Sequence, residues 1–102
     1  MRYSLKYTKT FKKQIDRLKK KDKALMEELM KKVKKLQDVP HSGKLLKYQL
    51  SYYRYRSLRI KKKYRLVYVV DENENTVILV AFGHREEIYK LMLLSFEEER
   101  KE

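Results

Sequence analysis

Two periods of apolar residues divide this chain. Tyr3, Leu5 and Tyr7 alternate with Ser4 and Lys6, the pattern of a half-buried strand. Phe11, Ile15 and Leu18 then follow at spacings of four and three, which predicts a helix with one apolar stripe. Thr8 or Thr10 can cap it by accepting a hydrogen bond from an unpaired first-turn amide, and Lys19-Lys20-Lys21 ends it. Asp22 suits the N-cap of a second helix, whose stripe is Leu25, Leu29, Val33 and Leu36, widened by Met26 and Met30. So short a join predicts an antiparallel helical hairpin.

Pro40 and Gly43 mark a loop over residues 39–43, and beyond it the period becomes two. Residues 53–60 and 64–70 read as facing strands joined by a lysine turn, and 76–82 reads as a third strand after the turn at 71–75. That third run is apolar on both faces, which predicts a central position in a sheet covered by helices on one side. Gly83 is expected to break it. Residues 84–87 then lead into a last helix carrying Ile88, Leu91, Met92 and Phe96, and the charged tail from about residue 97 is expected to fray. The expected class is α/β (α+β): an N-terminal strand, an antiparallel helical hairpin, a three-stranded antiparallel meander joining one small sheet, and a C-terminal helix. Residues 1–102 read as a single domain, without repeats or linkers.

Composition changes the picture mainly through charge. At 42% hydrophobic residues the chain can fold around one modest core, so its 40% charged residues belong to the surface. Lys and Arg number 27 against 14 Asp and Glu, a formal net charge of +13. Such an imbalance points to polyanionic partners: nucleic acid, an anionic membrane or an acidic protein. A thermophilic preference for Lys and Glu does not account for it, because Lys far exceeds Glu. The outward faces of the two helices hold many of these cations, either as a solvated surface or as a ligand contact. There is no Cys, and hence no disulfide, thiolate metal site or Cys nucleophile. No apolar run nears the roughly 18 residues of a membrane span, and the first residues lack a signal-peptide core. The expectation is a soluble, cytoplasmic protein with no membrane role.

Between Asp38 and Asp71 there is no acidic residue, but there are Lys44, Lys47, Arg54, Arg56, Arg59, Lys61, Lys62, Lys63 and Arg65. Tyr48, Tyr52, Tyr53, Tyr55, Tyr64 and Tyr68 are interleaved with them. Cations alternating with aromatic rings suit single-stranded nucleic acid, the cations pairing phosphates and the rings stacking on bases. Tyr64 and Tyr68 read more simply as packing residues. Strand alternation sets Arg65 on one face with Val67 and Val69. An arginine among valines needs a partner, and with no carboxylate nearby in sequence a phosphate is favoured over a buried acid.

Gly83-His84-Arg85-Glu86-Glu87-Ile88-Tyr89 is the second concentration of chemistry. His84 can act as acid or base near neutrality or be an ordinary histidine. Arg85 can stabilise charge on a phosphorane-like transition state. Tyr89, one turn on, can stack on a base or move a proton. Two histidines without a carboxylate cluster make a zinc site a poor reading, and two glycines build no phosphate-binding loop. No cofactor or metal is expected.

The runs Gly43-Lys44-Leu45-Leu46-Lys47, Arg56-Ser57-Leu58-Arg59-Ile60, Tyr64-Arg65-Leu66-Val67-Tyr68 and Gly83-His84-Arg85, followed by Tyr89, resemble in order and spacing the RelE/ParE superfamily of toxin–antitoxin toxins. The resemblance extends over nearly the whole chain. It implies a RelE-like fold and a toxin neutralised by a wrapping, RelB-like antitoxin. RelE-like members enter the ribosomal A site and cleave mRNA without a metal, the 2′-hydroxyl attacking the adjacent phosphate. The resemblance places the family's strand arginine on Arg65, its arginine after the last strand on Arg85 and its C-terminal tyrosine on Tyr89. His84 falls on a position basic in many relatives. Lys44, Lys47, Arg56, Arg59, Lys61, Lys62 and Lys63 are the expected RNA-binding residues. Where some relatives carry a Lys-x-Lys pair, this chain has Arg56 and Arg59, and arginine is a poor general base. Proton transfer then falls to His84, Tyr89, a turn lysine or the ribosome. Two other functions share the fold: a ParE-like toxin acting on DNA gyrase, and a degenerate toxin that meets DNA only within an antitoxin repressor complex.

Overall fold

The computed structural model describes residues 2–46 and 54–91. Five strands form one sheet in the order β1-β5-β4-β3-β2: β1 (Ser4–Tyr7), β2 (Lys44–Leu45), β3 (Tyr55–Ile60), β4 (Tyr64–Asp71) and β5 (Thr76–His84). β3, β4 and β5 are the antiparallel meander, and β1 lies parallel to β5. The helices α1 (Lys9–Lys21) and α2 (Lys23–Leu36) connect β1 to the loop before β2.

The caps are those the side chains favour. Thr8 accepts from the Phe11 amide at 3.1 Å, and Asp22 accepts from the Leu25 amide at 3.1 Å. Asp22 thus ends α1 and starts α2 within a single residue. Phe11 of α1 and Leu25, Leu29, Val33 and Leu36 of α2 are buried against Ile60, Leu66, Tyr68, Val77, Leu79 and Phe82 of the sheet. Each such side chain contributes about 1.5–3 kcal/mol by leaving water. The hairpin covers one face of the sheet. On the other face a smaller cluster forms from Tyr55, Val67, Ala81 and Ile88, the last from a helical segment over residues 85–91.

α1 also closes the sheet edge that β1 leaves open. β1 ends opposite Leu79, and the Thr8 hydroxyl donates to the next carbonyl, that of Val80, at 2.7 Å. Two residues on, the Phe82 amide donates to Gln14 Oε1 at 2.6 Å. Edge groups left over by β1 are thereby paired by side chains of α1 and its cap.

Gly83 does not break the last strand. β5 continues to His84, with Gly83 paired to Arg65 and His84 to Tyr64. Glycine is permissive rather than prohibitive in a strand, and both neighbours pair normally here. A register shift near Val67/Tyr68 leaves Val80 as an extra residue in β5. The two-residue β2 was not legible in the sequence; it pairs Lys44 with Ser57 and Leu45 with Arg56. Tyr53, Met92, Phe96 and the charged tail lie outside the described residues, as does Lys47.

Candidate functional site

Alternation along the strands sorts the cations onto two faces. Tyr64, Leu66 and Tyr68 pack under the hairpin and Val67 does not, so Arg65 stands on the face away from the hairpin. Ile60 and Leu58 likewise pack under the hairpin, which sends Arg59 and Ser57 to that same outer face. Lys44, paired with Ser57, joins them from β2. Arg59 is directly opposite Arg65, and Arg65 is directly opposite Gly83. One level of three adjacent strands therefore carries arginine, arginine and a residue without a side chain. Ion pairs among the described residues are Arg2 with Asp38 and His41 with Glu72; neither arginine of the row has one. Like charges opposed across strands are unfavourable unless something anionic lies between them.

The lysine turn stands at the same end of the sheet. Lys61, Lys62 and Lys63 are exposed, and Lys61 adopts a left-handed backbone with φ 53°. The Lys63 carbonyl accepts from the Arg85 amide at 2.9 Å, which ties the start of the 85–91 segment to the turn. The Arg85 guanidinium carbon is 5.9 Å from the centroid of the Tyr89 ring, a cation–π contact one helical turn long. Both side chains are exposed.

His84 is elsewhere. Its pairing with Tyr64 puts it on the hairpin side, edge-on to the Tyr64 ring with centroids 5.8 Å apart. Tyr64 in turn stacks on Phe82 at 5.6 Å. These three residues border a cavity of about 300 Å³ closed on its other side by Gln14, Arg17, Leu18 and Lys21 of α1. The sheet thus separates His84 from Arg65; Arg65 lies opposite Gly83, and Arg85, tied to the turn by its amide, carries Tyr89 beside it.

Arg56 is also turned away from the arginine row. It pairs with Tyr68 on the hairpin side, and its Nη1 donates to the carbonyls of Gly43 at 2.8 Å and His41 at 3.2 Å. The buried Tyr68 hydroxyl completes this loop anchor, donating to the Pro40 carbonyl and accepting from the Gly43 amide, each at 2.8 Å. Burial pushes the Tyr68 phenol up, partly offset by the Gly43 amide and Arg56. A Cβ on Gly43 would meet Tyr68 Oη at 2.6 Å, so the loop requires glycine. The anchor delivers Lys44 to the outer face.

Glu87 stands near the row without having been singled out by its sequence context. Its Oε2 is 3.3 Å from where a Gly83 Cβ would be, on the Arg65 side of the strand. The signal is an acid four residues after a glycine at a strand end, legible only once Gly83 is known to be extended.

The family model of the ParE toxin of the type II toxin–antitoxin system parDE matches residues 5–89. A Methanocaldococcus jannaschii protein provisionally named toxin RelE4 is 34% identical over 88 residues, 86% of this chain and 92% of its own. The free-state structure of an arginine-to-alanine double mutant of Escherichia coli RelE superposes with a TM-score of 0.65 at 26% identity, over 88% of this chain and 93% of that one. The toxin–antitoxin complex RelBE2 of Mycobacterium tuberculosis gives 0.68 at 24% identity, over 83% of this chain and all of the matched one, a likeness of fold. The chain belongs to the RelE/ParE family of type II toxin–antitoxin toxins.

Proposed function

We propose that this toxin is a ribosome-dependent mRNA endonuclease that works without a metal, the 2′-hydroxyl of one nucleotide attacking the adjacent phosphate. The observation that carries the reading is the opposed pair Arg59–Arg65 on a rigid sheet face, with neither arginine in an ion pair among the described residues. Lys44 and the turn lysines extend the cationic track for a single strand on either side of it. Arg65 holds the scissile phosphate. Arg85 supplies a second charge as the phosphorane forms, and Tyr89 keeps its guanidinium oriented. Lys47 continues this track in sequence beyond Leu46. Arg56 serves the loop instead.

A RelB-like antitoxin is the expected protein partner, its acidic or amphipathic segment lying over the same cationic face. DNA is reached only through that complex. The solved RelE neighbours include complexes with RelB proteins, which is consistent with this partner. A message translated in vitro with the protein present, followed by primer extension, tests the activity. The wild-type protein is expected to cut within codons, and Arg85→Ala to lose on the order of 10²–10³ in rate while remaining folded. Intact transcripts would reject the reading. The match to the ParE model favours one alternative, inhibition of DNA gyrase. Loss of supercoiling activity without mRNA cleavage would select it.

A further inference from the structure

Arginines do not accept protons, and the sheet holds His84 on the face away from Arg65. A 2′-hydroxyl attack at the arginine row thus needs a base from another element. The cavity beside His84 carries cations from α1 but opens on the hairpin side. Tyr89 is engaged with Arg85. Glu87 borders that cavity as well, but its Oε2 lies 3.3 Å from where a Gly83 Cβ would be, level with the end of the row.

We infer that Glu87 is the general base of the RNA-cleaving reaction, an inference that rests on the endonuclease reading above. Arg59, Arg65 and Gly83 lie abreast on β3, β4 and β5. Neighbouring strands are about 4.8 Å apart, so each position of the row lies within a side chain's length of the next. Gly83 contributes no side chain, and the space it leaves is entered by the Glu87 carboxylate, with Oε2 3.3 Å from the missing Cβ. Ile88, buried at 2% exposure against the same glycine, fixes the turn of helix that carries Glu87. The row of two cations thus ends at a glycine with a carboxylate beside it. No ion pair joins Glu87 to either arginine among the described residues, so its oxygens are available to a substrate. Glu87 also borders the cavity on the hairpin side, which places it at the lip of the sheet where a strand enters.

Glu87 removes the 2′-hydroxyl proton as O2′ bonds to phosphorus. Arg65 and Arg85 carry the added charge on the phosphorane oxygens. The P–O5′ bond then breaks with its electron pair on O5′, which takes a proton from water, leaving a 2′,3′-cyclic phosphate and a 5′-hydroxyl. The proton on Glu87 passes to solvent. A carboxylate near a helix start also interacts favourably with the helix dipole, and Glu86 shares that location while lying exposed. Glu86→Gln is accordingly the control.

Single-turnover cleavage on programmed ribosomes, measured across a pH series for wild type, Glu87→Gln, Glu87→Asp and Glu86→Gln, tests the assignment. Anisotropy of a labelled RNA oligonucleotide measures binding in parallel. Glu87→Gln is expected to lose about 10²–10⁴ in rate, to bind RNA at least as tightly as wild type, and to lose the rise of rate with pH on the acid side. Glu87→Asp should recover part of the rate, and Glu86→Gln should match wild type. A Glu87→Gln variant that cleaves normally overturns the inference. So does one that is slow but keeps the wild-type pH profile, since that result makes Glu87 a positioning group. A wild-type protein that cuts nothing removes the endonuclease reading, and this assignment with it.

Discussion

Replacing Arg59 with Gln should make the protein more stable and a weaker binder of RNA. Arg59 and Arg65 are directly opposed on adjacent strands, with no carboxylate in ion-pair range of either among the described residues. A like-charge pair in that arrangement destabilises a sheet by roughly 0.2–1 kcal/mol. Glutamine keeps most of the aliphatic stem, so the packing of the outer face is conserved and the charge alone is removed. For a domain of this size the gain corresponds to a rise of about 1–6 °C in the unfolding midpoint. The gain should shrink with added salt, because the screening length falls from about 10 Å at 0.1 M to about 3 Å at 1 M. Binding moves the other way. Removing one cation that neutralises a phosphate of a single strand reduces the slope of log affinity against log salt by about 0.7. Thermal denaturation at several salt concentrations and an oligonucleotide titration series measure both quantities. If Arg59→Gln lowers the midpoint, or leaves the salt slope unchanged, the two arginines are not an unpaired site held ready for a polyanion.

The loop anchor, the strand end and the contacts of Glu72 with Tyr3 and His41 can each be probed in the same way. Tyr68→Phe leaves the Pro40 carbonyl and the Gly43 amide without their partner in a buried setting; at about 1–3 kcal/mol per unsatisfied group, denaturant unfolding should show a loss of about 2–6 kcal/mol. Arg56→Ala removes the hydrogen bonds to the two loop carbonyls and should lower stability by about 1 kcal/mol, with the RNA salt slope unchanged. Gly83→Ala should fold, since the new Cβ meets only the flexible end of Glu87 at 3.3 Å and ordinary contacts with Ile88, yet cut more slowly as the carboxylate is displaced. Glu72 is held below its ordinary value by the Tyr3 hydroxyl and then by His41, and the Tyr3 phenol is held above its own by the same bond. Glu72 thus adds stability that is present above its unfolded pKa and is lost as pH falls through the lower folded value; Tyr3 adds stability lost as pH rises through its raised one. Urea midpoints of Glu72→Gln against pH should fall less steeply on the acid side than those of wild type.

The helices and the meander were legible because their signals are local. Phe11, Leu25, Leu29, Val33 and Leu36 recur at helical spacing, and all are buried as that spacing requires. Tyr68, a packing residue by its alternation, is fully buried. What escaped was the meeting of distant segments. Nothing local to Gly43 shows that a phenol 25 residues away fills its missing side chain. Arg56 sits in a cationic run, yet its cross-strand partner is Tyr68, so it faces the loop rather than the outer face of the sheet. His84 groups with Arg85 only if Gly83 ends the strand. With the strand unbroken, the rule that places Arg65 among the valines places His84 beside Tyr64.

That one glycine decides how the chemistry is distributed. β4 is paired on both sides from Tyr64 to Val69, and its inner face supplies Leu66 and Tyr68, both fully buried, to the core. A strand held so firmly can carry Arg65 on its outer face without a local partner, because the energy lost there is small against what the hairpin side contributes. The same rigidity means that Arg65 cannot turn to meet a base on the hairpin side. In the proposed mechanism the base comes around the end of the sheet, where a Cβ at position 83 would lie 3.3 Å from the Glu87 carboxylate. Gly83 is therefore the position at which substitutions should divide fold from activity: small additions leave the strand paired and remove the space on which the proposed base depends.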